Sequence, residues 1–103
     1  MTQRSAFVLH VRPDKLDEYV AAHRAVWPDM LAALRDAGIR NYTIFRDANR
    51  MFGYFEADDL AAAGEFLARQ EVCTRWQDAM AELLEERVPD GGPPALPEVF
   101  RLD

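Results

Sequence analysis

The chain has 103 residues, half of them apolar, which suits one globular domain with a hydrophobic core and is too few for two. Its 18 acidic residues outnumber 12 lysines and arginines, the net charge is −6, and no basic run could follow a phosphate backbone, so we expect no nucleic-acid partner. One cysteine excludes an intrachain disulfide, and no stretch approaches the roughly 20 apolar residues of a membrane helix. We therefore expect a single cytoplasmic domain over residues 1–103, with no membrane partner.

The first predicted element is a short strand. Residues 5–12 place Phe7, Leu9 and Val11 on one face and smaller or polar side chains on the other. Pro13 has no backbone N–H and ends the pattern.

A long helical pattern follows and is interrupted by a proline. It begins at Asp14, which we expect to be its N-cap, and ends at Gly38, a typical C-terminal stop residue. Pro28 lacks an N–H and would clash with the carbonyl four residues earlier, so the helix is predicted to kink or restart near Trp27.

The next segment predicts a hairpin and then two helical pieces. Residues 39–46 and 51–57 read as strands joined by a turn at Asp-Ala-Asn-Arg. Asp58 or Asp59 can cap a helix over residues 60–70, and a further helical pattern runs to Leu84.

The end of the chain predicts a loop and a final strand. Residues 88–97 are rich in proline and glycine and long enough for a functional flap, and residues 98–102 are short enough only for a strand. The order βαββαβ indicates an α+β, ferredoxin-like fold with a four-stranded antiparallel sheet and helices on one face. The other sheet face then needs a cover, and a second copy of the chain is the simplest one, so a homodimer is expected.

One helical stripe carries an unusual set of side chains. Tyr19, His23 and Trp27 are spaced four residues apart. Tyr42 and Trp76, on other predicted elements, are also aromatic side chains that carry a hydrogen-bonding group. All could be core residues whose polar tips bond to backbone groups. A small polar ligand would also satisfy them, and aromatic faces beside hydrogen-bonding tips suit a sugar. The chemistry available to a lone imidazole there is proton transfer.

Metal chemistry is poorly supported by the sequence. The only two histidines, His10 and His23, lie on different predicted elements, and Cys73 falls on the apolar side of its helix, where a buried and inert thiol is the ordinary reading. We expect no metal site.

Four short strings also resemble the L-rhamnose mutarotase family. They are Tyr-x-x-x-His-x-x-x-Trp-Pro at 19–28, Asn-Tyr-x-Ile at 41–44, Val-Cys-x-Arg-Trp at 72–76 and Glu-Val-Phe-x-Leu at 98–102, preceded by the starting strand Ala-Phe-Val. They span nearly all of the chain in the family's order. The resemblance implies a dimeric ferredoxin-like α/β barrel, no cofactor, and interconversion of the α and β anomers of a 6-deoxy monosaccharide.

The resemblance also implies residue roles. The family's proton donor falls on His23 and its sugar-contacting positions on Tyr19, Tyr42 and Trp76. The chain departs from the family at Gln77, where members often have a second tryptophan; the amide cannot stack but can pair with a hydroxyl. This departure leaves open whether L-rhamnose, L-fucose or a related sugar is preferred.

The reaction needs one acid and one base, because the ring oxygen must gain a proton and the anomeric hydroxyl must lose one. Histidine, with an ordinary pKa near about 6.5, can donate and recover a proton at neutral pH. The base remains open among Tyr19, a water molecule and a carboxylate of the C-terminal loop, and we assign Tyr19 to substrate positioning.

Two other classes of function fit the same pattern. A cofactor-independent monooxygenase would use Trp27, Phe45 and Trp76 to line an apolar pocket for an aromatic substrate. A non-catalytic sugar-binding dimer would bind the sugar while its anomers exchanged at the rate of the buffer.

Overall fold

The computed structural model describes residues 1–89 and 92–102. They form a small α+β fold with a three-stranded antiparallel sheet and four helices. In chain order the elements are strand β1 (Gln3–His10), helices α1 (Leu16–Arg24) and α2 (Pro28–Asp36), strands β2 (Arg40–Asp47) and β3 (Arg50–Ala57), and helices α3 (Leu60–Ala68) and α4 (Glu71–Ala81).

The sheet has the order β1-β3-β2, and β3 is antiparallel to both neighbours. Side chains alternate across it as the strand period requires. Phe7 and Met51 are buried beneath the helices, whereas Phe45 and Phe52 on the opposite face are exposed. The helices therefore cover one face of the sheet, as predicted.

The break in the first helical segment is confirmed. Helix α1 ends at Arg24, and α2 restarts with Pro28 in its first turn, where the missing N–H costs no hydrogen bond. Gly38 adopts a φ of +87° just after α2, so it ends that helix as expected.

The two predicted caps have different outcomes. The Asp59 side chain accepts a hydrogen bond from the Ala62 N–H at 3.0 Å and caps α3. The prediction that Asp14 caps the first helix is wrong, because Pro13–Lys15 forms a 3₁₀ turn ahead of α1, and Asp14 lies inside it.

Residues 98–102 do not form the predicted fourth strand. The tail begins to follow the outer edge of β1, since the Leu96 N–H donates to the Ala6 carbonyl at 2.8 Å and Arg4 pairs with Glu98 at 2.9 Å. Beyond these contacts residues 98–102 have no assigned strand structure, and Val99 and Phe100 are largely exposed. A strand needs a continuous ladder of backbone partners, and within the described chain this segment lacks one.

The core is divided into two clusters of buried side chains. The larger one contains Tyr19, Trp76 and Met80, and the smaller one contains Ile39, Ala57 and Ala63. This division positions a cavity between the sheet and the helices. Each helix in the described ranges is too short or too polar to span a bilayer.

Close packing within the sheet depends on Gly53. It pairs with Phe7 across β1 and β3, and a Cβ at residue 53 would overlap the buried Phe7 ring. We expect Gly53→Ala to lower the free energy of unfolding by about 1 to 3 kcal/mol, the usual cost of overpacking, measured by urea denaturation. A smaller side chain in Phe7→Leu should restore part of that loss in the double variant. A Gly53→Ala protein as stable as the parent would show that the ring moves aside without cost.

Candidate active site

His23 lies in the last turn of α1, and its ring is fixed by a backbone contact. Nδ1 is 2.9 Å from the carbonyl oxygen of Tyr19, one turn earlier. A carbonyl oxygen can only accept a hydrogen bond, so Nδ1 carries the hydrogen and donates it. In the neutral ring Nε2 then keeps its lone pair. It is the nitrogen left to exchange a proton with a bound molecule.

Aromatic neighbours hold the same ring on two sides. Tyr19 stacks on His23 with ring centroids 4.2 Å apart and planes 29° apart. Trp76 meets His23 edge-on at 5.5 Å, and Trp27 meets Trp76 edge-on at 5.1 Å. Since the helix ends before Trp27, the third member of the predicted stripe supports Trp76 rather than lying beside His23.

Helix α4 and strand β2 supply the other predicted residues. On α4, Trp76 and Gln77 follow Cys73 by three and four residues, the spacing that puts side chains on one helix face. On β2, the register shifts just before Thr43, and Asn41 takes a φ of +53°. Such a bulge re-aims neighbouring side chains. The Tyr42 ring lies against Phe7 and Phe55, with centroids 6.1 and 5.4 Å away.

These residues meet at a cavity of about 660 Å³ between the sheet and the helices. His23, Tyr42, Trp76 and Gln77 all line it. Tyr19 lines a smaller adjoining cavity of about 50 Å³ that shares these four residues. The structure therefore brings all five predicted site residues together.

Burial sets the protonation states of the site. It lowers the pKa of His23, an effect that the bond to the Tyr19 carbonyl partly opposes, so the imidazole is neutral near pH 7. Burial raises the pKa of Tyr19 to about 12. The pKa of Tyr42 is also raised, mainly by burial and to a smaller extent by the proximity of Tyr19, although 40% of that residue is exposed. Both phenols stay protonated and act as hydrogen-bond donors or acceptors, and neither is a base.

The C-terminal loop also contributes to the cavity. Gly92, Pro93 and Ala95 line it, and no pattern in the sequence singles out these three residues. The loop carboxylate Asp90, one candidate base, lies outside the described residues, and Glu98 pairs with Arg4. Over residues 1–89 and 92–102, no aspartate or glutamate lines either cavity, and no three His, Cys, Asp or Glu side chains group as metal ligands.

Comparisons with known proteins identify the family. The model of the L-rhamnose mutarotase family matches residues 4–102. Proteins named L-rhamnose mutarotase from Pectobacterium atrosepticum and Bacillus subtilis are each 39% identical, covering 97% and 98% of this chain and 98% and 99% of their own. A crystal structure of an L-rhamnose mutarotase from Formosa agariphila is similar, with a TM-score of 0.76 and 30% identity over 98% of this chain and 99% of its own. The chain therefore belongs to the L-rhamnose mutarotase family.

Proposed function

We propose that this protein is an isomerase that interconverts the α and β anomers of L-rhamnose by opening and closing the sugar ring. The observation that carries the proposal is the orientation of His23. Its Nδ1 donates to the Tyr19 carbonyl, which leaves Nε2 for a ligand, and His23 lines a cavity large enough for a monosaccharide. Family membership supports the same reaction and favours neither the monooxygenase nor the non-catalytic sugar-binding protein.

The proton transfers follow from the neutral state of His23. Nε2 accepts the proton of the anomeric hydroxyl, a C1–O1 double bond forms, and the C1–O5 bond breaks. The imidazolium then gives its proton to O5, so the open-chain aldehyde gains no net charge. Rotation about C1–C2 and the reverse transfers close the ring on the other face. His23 is thus both base and acid, and an external base is not required.

Three of the other four residues position the sugar, and Tyr19 positions His23. Trp76 offers an aromatic surface for the C–H face of the ring, and Gln77 can donate to one hydroxyl and accept from another. The protonated phenol of Tyr42 can hydrogen-bond to a hydroxyl at the cavity wall. Tyr19 stacks on His23 and accepts its hydrogen bond through the backbone carbonyl, and Tyr19 also lines the smaller cavity.

The function is tested by saturation-transfer NMR on the anomeric protons of L-rhamnose and L-fucose. We expect the protein to increase transfer between the two anomers well above the buffer rate, with L-rhamnose preferred. A folded protein that leaves both exchange rates at the buffer value would contradict the proposal. Binding of either sugar without faster exchange would instead favour a non-catalytic binding protein.

The lowered pKa of His23 predicts a pH dependence of a definite sign. The neutral ring starts the reaction, so kcat/KM should be small in acid, rise with pH through the pKa of His23, and be constant near pH 7. The midpoint should lie below about 6.5, the ordinary histidine value. The measurement is anomer exchange at sub-saturating sugar from pH 4 to 8. A rate that falls as pH rises through this range would mean that the imidazolium starts the reaction.

We further propose that residues 1–103 form one domain that dimerises, and that residues 98–102 become the fourth strand of the sheet in the dimer. Exposed apolar side chains in two places support this. Phe45 and Phe52 lie on the open sheet face, and Val99, Phe100 and Leu102 are 95%, 80% and 84% exposed on the tail. Monomers rarely leave such groups in water without a partner.

Sedimentation velocity tests the dimer directly. The full chain should sediment at twice the mass of one chain at micromolar concentration. Val99→Asp with Phe100→Asp should shift it toward the monomer, because charges would be buried at the interface. Ala62→Asp, which adds a charge at an exposed position of α3 on the helix side of the sheet, is the control and should remain dimeric. A monomeric full chain would contradict the dimer.

A further inference from the structure

The cavity is larger than a 6-deoxy sugar needs. Its volume is about 660 Å³. L-rhamnose has eleven non-hydrogen atoms, and at about 30 Å³ each, the share of a water molecule in the liquid, it takes at most about 330 Å³. About half of the cavity is therefore left beside a bound sugar.

The two ends of the cavity differ in chemistry. His23, Tyr42 and Gln77 line one end, where hydroxyl groups can be bound. We call the other end the apolar end. Its side chains belong to the smaller core cluster or pack against it, and they come from α2, the residue just before β2, and α3: Leu34, Ile39, Leu60 and Leu67.

Nothing in the apolar end of the described chain would favour a charged or strongly hydrated group. No lysine, arginine or carboxylate lines the cavity over residues 1–89 and 92–102, and Ser5 is the polar side chain contributed by β1. Water molecules that filled this end of the cavity would lie mainly against aliphatic side chains, which offer them no hydrogen bonds. An aliphatic group would instead remove apolar surface from water.

We infer that the apolar end binds an aliphatic substituent carried by the sugar, so that the substrate class includes 6-deoxyhexoses bearing an O-alkyl or O-acyl chain. This inference rests on the proposed mutarotase function. The chain cannot be on O1, because ring opening requires a free anomeric hydroxyl. It belongs on O4, which lies across the pyranose ring from C1 and so points away from His23 when C1 and O5 face Nε2.

Synthetic ethers test the ligand side of the inference, because they do not hydrolyse. Each buried methylene contributes roughly four-fold in affinity, so 4-O-butyl-L-rhamnose should bind at least about ten-fold more tightly than 4-O-methyl-L-rhamnose. Both should exchange anomers faster with protein than without it. The 2-O-butyl isomer places the chain next to C1 and should lose this gain. Affinity is measured by calorimetry, and exchange by NMR.

Two variants of α3 test the protein side. Gly64 lines the cavity, whereas Ala62, two residues earlier, is exposed and is not among the lining residues. Gly64→Leu adds a side chain at the apolar end and improves helix propensity, so the fold should hold. It should reduce the preference for 4-O-butyl over 4-O-methyl-L-rhamnose at least about ten-fold. Ala62→Leu should leave that preference unchanged.

The outcomes separate this inference from the proposed function. If L-rhamnose exchanges but the butyl ether binds no better than the methyl ether, the inference is wrong and the function stands. If no sugar exchanges faster than in buffer, the function is wrong, and calorimetry alone decides whether the apolar end binds the chain. A preference for the butyl ether that Gly64→Leu and Ala62→Leu reduce equally would also overturn the assignment to the apolar end.

Discussion

His23→Asn should reduce the rate of anomer exchange by roughly 10² to 10⁴, the usual contribution of a positioned acid or base. Asparagine can still donate a hydrogen bond to the Tyr19 carbonyl, but it cannot accept the anomeric proton and return it to O5. Sugar affinity should change far less than the rate. The measurement is the rate of anomer exchange by saturation-transfer NMR, divided by the concentration of folded protein. Circular dichroism gives the folded fraction.

His10→Asn is the matched control, because His10 is the other histidine of the chain and is exposed at the end of β1. It should exchange anomers at the parent rate. If His23 were only a core residue whose hydrogen bonds are made within the protein, His23→Asn would instead lower stability by about 1 to 3 kcal/mol. The exchange rate per folded molecule would then be unchanged. That result would remove His23 from the mechanism.

Trp76→Ala should lower the free energy of unfolding by about 3 to 5 kcal/mol and also weaken sugar binding. The side chain is 7% exposed and supports both His23 and Trp27, so its removal opens a cavity in the larger core cluster. Trp76→Phe keeps an aromatic face and should lose less of both. Thermal unfolding and sugar titration measure the two effects.

Leu83→Ala separates the two roles of Trp76. Leu83 is equally buried, but it does not line the cavities described here. Its truncation should cost a comparable 2 to 5 kcal/mol, about the usual range for a core leucine, while leaving sugar affinity at the parent value. A Trp76→Ala protein that also keeps its sugar affinity would make Trp76 a core residue alone.

The parts of the fold that the sequence predicts are those fixed by local chemistry. Pro28 restarts a helix, Gly38 ends one, and Asp59 caps one, each through its own backbone or side chain. The exception is Asp14, because a proline immediately before it favours a 3₁₀ turn that displaces the helix start. The final strand was not predictable in this way, since a strand depends on partners distant in sequence.

The candidate site shows the same distinction. The four-residue spacing of Tyr19 and His23 implies contact once the helix is recognised, and the two rings do stack. By contrast, the bulge that precedes Tyr42 and the packing of Trp27 on Trp76 arise from tertiary contacts. The loop residues at the cavity likewise depend on where the chain returns after α4, which no local pattern specifies.

If the chain dimerises as proposed, the path of the C-terminal tail should couple assembly to sugar binding. Gly92 and Pro93 border the cavity, Leu96 is tied to β1, and the apolar side chains of residues 99–102 extend outward. A partner that holds the outer end of this segment also restrains the part that borders the cavity, with only a few residues between them. Thermodynamic linkage then requires reciprocity: sugar should strengthen subunit association by the same factor by which association strengthens sugar binding. Apparent sugar affinity should accordingly rise with protein concentration across the dimer dissociation constant.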